Sequence, residues 1–211
     1  IMTDTLHEML AKILDDLSRL DHIKPSDLPN IDLYMDQVTT FMDSQLESSK
    51  RYPEDKILTK TMINNYAKNH LLPSPEKKRY SQEHMLLLIF IYYFKSIMSI
   101  SDIQTLLGPI TEKYFRSSEG MNLASIYTEV FSMEHEQIET IRKELLDNYS
   151  SACQTFTDCP EDEREFLQTF SFICLLSFDV YIKKMIIEQL IDDLKQDADL
   201  AAPTRKKKGG K

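Results

Sequence analysis

The sequence predicts a mainly α-helical fold. Hydrophobic residues make up 42% of the 211 residues, which is enough for a substantial core. The chain has four glycines and eight prolines, and this low content argues against a loop-rich β fold. Apolar residues recur at helical spacing, beginning in the first helix with Leu6, Met9, Leu10, Ile13, Leu14 and Leu17.

Four segments are predicted along the chain. Residues 1–30 should form an amphipathic helix and a proline-containing connector, and residues 31–110 a compact head. Breaks containing glycine and proline separate the head from residues 120–198, which are predicted to form a helical bundle. Residues 199–211 are a lysine-rich tail, which we expect to be disordered and able to bind an anionic partner.

The head is organised around a short helix over residues 59–71. Thr59 can accept a hydrogen bond from an amide of the first turn, so it is a suitable N-cap residue. The apolar residues of this helix share one face. The opposite face carries polar side chains at positions i, i+3, i+4 and i+7, with one more lysine at its edge: Thr61, Asn64, Asn65, Lys68 and Lys60.

This polar face suits the major groove of double-stranded DNA. Asparagine can pair with adenine through two hydrogen bonds, threonine can contact the thymine methyl group, and lysine can reach guanine or phosphate. The alternative interpretation is the solvated face of an ordinary surface helix. The residues that follow the helix favour the DNA interpretation.

A basic turn comes next. Pro73 and Pro75 should end the helix, because proline lacks an amide and restrains the preceding residue. Residues 76–80 then place three cations beside an aromatic ring, in a tight turn or small β-wing. Such a wing can neutralise phosphates beside a groove, which positions the head without reading sequence. The side chains concerned are Lys77, Lys78, Arg79 and Tyr80.

Three further helices should complete the head. Asp32 is expected to cap a first helix that ends near residue 46. Ser81 caps a helix to Met98 that is apolar on nearly every side and should lie buried beneath the reading helix. Ser99 and Asp102 form a capping-box-like pair, which opens a helix that should end before the Gly108-Pro109 pair.

These motifs resemble the MerR-type winged helix-turn-helix regulators. The run 58–66 and the following Leu71-Leu72-Pro73 are similar to the second helix of that family. The run 78–81 resembles the exit from its wing, and 99–103 the start of its fourth helix. The resemblance covers about a third of the chain. The whole chain also resembles a family of bacterial proteins whose N-terminal part is MerR-like.

The resemblance implies a winged helix-turn-helix head that docks on DNA as a dimer, with helix 59–71 in the major groove. The sequence departs from the family where Asn64-Asn65 replaces an Arg-Tyr pair. The wing is shorter and lacks its usual glycine, and the metal-sensing cysteine pattern is missing. The resemblance therefore implies the docking mode, and not the operator or the inducing signal.

The C-terminal segment is the predicted dimerisation element. One helix should run from Asn122 to Leu146 and another from Glu163 to about Asp197. The second is apolar on most sides through residue 178, as in the centre of a bundle or at a dimer interface. Aromatic side chains could line a small-molecule effector pocket, although core packing is the simpler use: Tyr127, Phe131, Phe170, Phe178 and Tyr181.

The charge distribution favours a DNA-binding head. The chain carries a net charge of −9, but residues 50–80 contain eight basic and three acidic residues, a net charge of +5. Residues 205–211 carry another +5, which leaves −19 on the rest. A basic head on an acidic body is a local electrostatic footprint for nucleic acid.

The sequence contains no catalytic or cofactor-binding constellation. It lacks a glycine-rich phosphate loop, a nucleophile elbow and a Cys-x-x-Cys pair. His135 and Glu139 lie one helical turn apart, but two ligands do not make a metal site. Cys153 and Cys159 flank a polar loop, where they could form a redox pair or be incidental thiols. We therefore predict a protein that is not an enzyme and has no cofactor or metal.

An odd number of cysteines and the lack of a signal peptide predict a reduced, cytoplasmic location. No apolar segment is long enough to predict a membrane span. The predicted function is a sequence-specific, dimeric transcriptional regulator. It would read the major groove with helix 59–71 and hold the DNA backbone with the wing at residues 76–80. The alternative is a helical protein–protein interaction module that has a winged shape and does not bind DNA.

Overall fold

The computed structural model describes residues 3–18, 22–118 and 120–201. The described chain is mainly helical, as predicted, with one antiparallel pair of short strands. The strands are β1 (Leu33–Tyr34) and β2 (Arg79–Tyr80). The helices are α1 (Thr3–Ser18), α2 (Met35–Gln45), α3 (Lys60–Lys68), α4 (Gln82–Phe94), α5 (Ile100–Tyr114), α6 (Leu123–Ser132), α7 (Glu134–Cys153) and α8 (Glu161–Ala201), with short 3₁₀ turns at Pro25–Asp27 and Glu47–Ser49.

The described residues fall into two compact units. The first contains residues 3–18, 22–28 and 124–183, and the second contains residues 29–118, 120–123 and 184–201. Helix α8 contributes its N-terminal part to the first unit and its C-terminal part to the second. Residues 202–211 of the predicted basic tail lie outside the described residues.

The first unit is held together by apolar faces of α1, α7 and α8. Leu10, Leu145, Ala152 and Phe172 form its buried cluster, and partly buried residues of the same three helices surround it. Full burial of a large apolar side chain stabilises a fold by about 1.5–3 kcal/mol. The apolar stripe predicted on the first helix is therefore covered, at least in part, by the chain itself.

Helix α4 is the buried centre of the second unit. All eight residues from His84 to Ile91 are buried, as the nearly continuous apolar run predicts. Strand β2 contacts both α2 and α4, and α2 also contacts α3. The side chains that α2 and α3 bury are Val38, Met42, Ile63 and Tyr66.

Three of the four predicted capping residues, Thr59, Ser81 and Ser99, are the N-cap residues of α3, α4 and α5, and the predicted cap Asp32 is wrong. Thr59 Oγ1 accepts a hydrogen bond from Met62 N at 3.2 Å, and Ser99 Oγ accepts one from Asp102 N at 3.2 Å. Asp32 does not cap α2, because pairing of β1 with β2 keeps the chain extended as far as Tyr34. The amide of Tyr34 instead donates to Gln37 Oε1 at 2.8 Å.

Helix α3 ends three residues earlier than predicted. The amide of Leu71 donates to Tyr66 O at 2.9 Å, and the amide of His70 donates to Ala67 O at 3.2 Å. These two bonds form a Schellman motif, for which His70 adopts a left-handed conformation with φ of 57°. The helix is therefore closed by its own backbone before it reaches Pro73.

Helix α5 continues through a proline that was predicted to end it. Pro109 lies inside the helix, which runs to Tyr114. The ring of a proline normally clashes with the Cβ of the preceding residue in a helix. Gly108 has no Cβ, so this clash is relieved, and the helix loses one backbone hydrogen bond at the proline.

The predicted helix from Asn122 to Leu146 is divided at Met133 into α6 and α7. Helix α7 also extends to Cys153, which shortens the predicted polar loop and places that cysteine on a helix. Leu145 and Ala152 both lie in the buried cluster, so tertiary packing favours the extra turns over the polar sequence there. None of the helices among the described residues combines the length and apolarity needed to cross a bilayer.

His84 is fully buried at the start of α4. Its Nδ1 accepts a hydrogen bond from Ser81 N at 3.0 Å, and its ring meets those of Tyr80 and Phe115 edge to face. Burial disfavours the charged imidazolium and lowers the pKa of His84 to about 4. The neutral ring therefore belongs to the core of the second unit.

We expect acidification to destabilise the second unit through His84. The unfolded chain takes up a proton on this residue near pH 6.5, whereas the folded chain does so near pH 4. Stability should therefore fall as the pH drops between these values, by up to about 3 kcal/mol. Urea unfolding at pH 7 and pH 4.5 measures the effect. His84→Phe, which cannot titrate, should show a smaller loss, and equal losses in both proteins would contradict this account.

Candidate nucleic-acid interface

The five predicted contact residues of α3 share one exposed face. Ile63 and Tyr66 are buried on the other side, with 0% and 5% of their surface exposed. Burial also raises the pKa of the Tyr66 hydroxyl. The exposed side chains are Lys60, Thr61, Asn64, Asn65 and Lys68. Helical periodicity and the Thr59 cap are sufficient to produce this division.

The side chains on this face differ in their partners. Asn64 and Lys68 make no side-chain hydrogen bond or ion pair to any described residue. Lys60 forms an ion pair with Asp36 of α2, and both of these side chains are largely exposed. Exposed ion pairs contribute little to stability, so a phosphate could replace Asp36 at small cost.

The side-chain amide of Asn65 is less available to a base than that of Asn64. Asn69 Nδ2 donates to Asn65 Oδ1 at 3.0 Å and to Asn65 O at 2.8 Å. Paired recognition of adenine uses the oxygen and the nitrogen of an asparagine amide together. Asn64 has both atoms available among the described residues, whereas Asn65 would first have to release Asn69.

The basic turn after α3 is a tight two-residue turn. The amide of Arg79 donates to Glu76 O at 2.8 Å, and the same two residues form an antiparallel bridge. Lys77 and Lys78 between them have φ of 48° and 64°. Positive φ at both central positions is the mark of a type I′ turn, which normally contains asparagine and glycine.

Two lysines in this turn are energetically unfavourable. A left-handed conformation costs a residue with a Cβ about 1–2 kcal/mol relative to its normal regions. Both lysine side chains are exposed, and neither has an ion-pair partner among the described residues. Backbone strain that brings no internal contact is a reason to suspect a functional role. The turn therefore holds the backbone of two exposed lysines in a defined conformation.

Strand pairing fixes this turn to the second unit. Tyr34 lies opposite Arg79 and Leu33 opposite Tyr80 in the β1–β2 register. The guanidinium of Arg79 donates to Tyr34 Oη from Nε and Nη2, at 3.3 and 3.2 Å, and lies over the ring. Arg79 is exposed but already engaged, so it stabilises the turn as well as adding charge.

Tyr80 is not part of the exposed surface. Its side chain is 3% exposed, and burial raises the pKa of its hydroxyl. Successive residues of a strand point to opposite sides, so Arg79 faces solvent while Tyr80 enters the core. The predicted contact between Tyr80 and DNA is therefore replaced by a packing role beside His84.

Residue spacing did not indicate which side chain neutralises Glu76. Arg116 Nη1 pairs with Glu76 Oε1 at 2.6 Å, and the amide of Arg116 donates to both carboxylate oxygens of Glu83 at 2.9 Å. These partners lie more than 30 residues apart in the chain. Because Arg116 pairs with Glu76, that carboxylate neutralises neither Lys77 nor Lys78.

The other candidate residues do not form a common site. Within the described ranges, no three His, Cys, Asp or Glu side chains are grouped so as to hold a metal ion. Cys153 and Cys159 are both free thiols. Of the aromatic residues considered for an effector pocket, Tyr127 and Phe131 stack with centroids 4.2 Å apart, whereas Phe170, Phe178 and Tyr181 are exposed on α8.

A family model described as a domain of unknown function (DUF1836) matches residues 23–130, just over half of the chain. The chain belongs to the DUF1836 family. The DUF1836 segment contains both strands, α2 to α5 and most of α6, so it includes α3 and the lysine turn. No curated protein and no solved structure matches the chain.

We expect replacement of the two turn lysines by the residues that a type I′ turn favours to stabilise the protein. Lys77→Asn with Lys78→Gly should raise the free energy of unfolding by about 1–2 kcal/mol, because the left-handed conformation becomes less costly. Urea unfolding measures this change. The matched control, Lys77→Ala with Lys78→Ala, removes the same charges without relieving the backbone. Equal stability of the two double variants would contradict the assignment of strain.

Proposed function

We propose that this DUF1836 protein is a sequence-specific, dimeric DNA-binding transcriptional regulator that acts in the cytoplasm. The observation that carries the proposal is the exposed polar face of α3 together with the strained turn that presents Lys77 and Lys78. In this proposal α3 reads bases in the major groove, and the turn holds the backbone beside it.

The dimensions and chemistry of α3 support the reading role. An α-helix with its side chains is about 10–12 Å in diameter, which fits the width of the major groove of about 12 Å. Asn64 presents a complete amide for adenine, and Thr61 presents a methyl group and a hydroxyl. Lys68 in the last turn can reach guanine or phosphate.

The turn suits the positioning role. A lysine that lies beside the groove neutralises phosphate as a point charge and reads no base there. Lys77 and Lys78 are exposed and lack carboxylate partners among the described residues, so binding need not first break an ion pair. Pairing of β2 with β1 holds their backbone in place.

The order of elements supports a winged helix-turn-helix head. Strand β1, helices α2 and α3, the lysine turn with β2, and helices α4 and α5 follow one another in the DUF1836 segment. We propose that this arrangement has the MerR-like docking mode that the sequence motifs imply. The proposal takes over that docking mode and leaves open the operator and the inducing signal.

The exposed face of α8 supports dimer formation. Large apolar side chains are exposed at intervals along most of this helix, and Phe166 is exposed to 72%. Extended apolar surface of this kind marks a site of association. We propose that a second copy of the chain covers the part of α8 that belongs to the first unit, where Phe166, Phe170, Ile173, Val180 and Tyr181 share one exposed side of the helix.

The same surface favours a second candidate function. A helical protein–protein interaction module would need an exposed apolar face but no base-reading side chains. Under this alternative, Lys77 and Lys78 would meet an acidic protein partner, and Asn64 would be incidental. A requirement for double-stranded DNA separates the two functions.

Variants of α3 and of the turn test the proposal. Against duplexes enriched from a random pool, Asn64→Ala should lower sequence preference by about 1–3 kcal/mol, and Asn65→Ala by less, because Asn69 already engages Asn65. Fluorescence anisotropy at several salt concentrations measures both affinity and preference.

The turn variant is the matched control for this experiment. Lys77→Asn with Lys78→Gly should weaken binding to all sequences alike and reduce the slope of log affinity against log salt by about 2. If Asn64→Ala keeps the full sequence preference, α3 is not the reading helix.

A further inference from the structure

A second concentration of positive charge lines a pocket in the second unit. The pocket has a volume of about 410 Å³ and lies between the connection after α2 and the C-terminal end of α4. Pockets for small molecules generally have volumes of about 300–1,000 Å³. Four cations line it, Lys50, Arg51, Lys56 and Lys95. None of the predicted DNA-contacting residues does.

Lys95 is the cation of this lining whose ammonium group contacts neutral groups. Its side chain is partly buried, and burial lowers the pKa of its ammonium group. Nζ donates to Ile57 O at 2.7 Å and lies 4.6 Å from the centroid of the Tyr92 ring. No carboxylate of a described residue lies within ion-pair distance of it. The charge is therefore balanced only by neutral dipoles, which is costly for a partly desolvated ammonium.

The rest of the lining leaves an excess of positive charge. Lys50 Nζ pairs with Asp43 at 2.8 Å, and this interaction lowers the pKa of Asp43. Arg51 and Lys56 are exposed and have no carboxylate partner among the described residues. Asp55 is the acidic residue of the lining, and one of its carboxylate oxygens accepts a hydrogen bond from Tyr52 N at 3.0 Å.

We infer that this pocket binds the phosphate group of an anionic ligand. A phosphate carries up to two negative charges and several strong acceptor oxygens, so it can meet Lys95, Arg51 and Lys56 together. The hydroxyl of Ser96 in the same lining donates to Tyr93 O at a long 3.5 Å and could donate to a phosphate instead. A phosphate would compensate the charge of Lys95, which no described side chain neutralises. The inference goes beyond the proposed DNA contact, because its residues lie outside α3 and the lysine turn.

Titration of the full-length, ¹⁵N-labelled protein with inorganic phosphate tests this inference. Chloride is exchanged for phosphate at constant ionic strength, and amide chemical shifts are followed. We expect saturable shifts confined to residues 49–57 and 92–96. Lys95→Met should weaken binding about tenfold or more, because a hydrogen bond between two charged groups is lost. Arg51→Gln and Lys56→Gln alter exposed side chains that the fold does not need, and each should weaken binding as well.

Lys113→Met is the matched control. Lys113 Nζ also lies over a tyrosine ring, 5.1 Å from the centroid of Tyr114, but it does not line the pocket. This variant should bind phosphate with unchanged affinity. Shifts that do not saturate, or equal affinity in Lys95→Met, Arg51→Gln, Lys56→Gln and Lys113→Met, would overturn the inference.

Added double-stranded DNA distinguishes the two sources of phosphate. If DNA shifts the same amides and displaces inorganic phosphate, the pocket holds a backbone phosphate of the duplex. If phosphate still binds in the presence of DNA, the pocket holds a separate small ligand. Both outcomes support recognition of a phosphate group. Phosphate binding in a protein that fails to bind any DNA would refute the proposed function alone.

Discussion

The burial of α4 is the constraint on which the second unit depends. Eight consecutive residues of this helix, His84 to Ile91, are removed from water, so it has no solvent-facing side over about two turns. Strand β2 leads directly into this helix, and the buried rings of Tyr80 and His84 meet at the junction. Lys78, the second lysine of the turn, lies two residues before Tyr80. Its geometry is therefore set by the core, and the two lysines cannot relax their backbone without disturbing that junction.

Positive charge and backbone strain occur together on the surface formed by α3 and the lysine turn. Glu76 is paired with Arg116, which lies outside the turn, whereas Asp36 is paired with Lys60 of α3 itself. The turn itself keeps two lysines where asparagine and glycine would be more stable. Because the backbone of the turn is already fixed, binding of a polyanion would order only the exposed lysine side chains. A strongly acidic remainder of the chain limits nonspecific attachment to DNA elsewhere.

Local rules predicted the elements that depend on nearby residues. The division of α3 into a buried and a polar face follows from periodicity, and the Thr59 and Ser99 caps follow from side chains that reach their own first turns. Features set by tertiary contacts escaped prediction. Strand alternation buried Tyr80, and a residue 40 positions away paired with Glu76. The phosphate pocket combines three separate stretches of chain, so spacing in the sequence could not indicate it.

The most direct test of the account is selection of the purified protein against a randomised pool of double-stranded DNA, followed by sequencing of the retained duplexes. The account predicts an enriched motif with two related half-sites, because α3 reads bases and a second copy of the chain joins along α8. It also predicts that Asn64→Ala changes the enriched motif. Retention of no duplex at low salt would contradict DNA binding, and retention without an enriched motif would contradict base reading by α3.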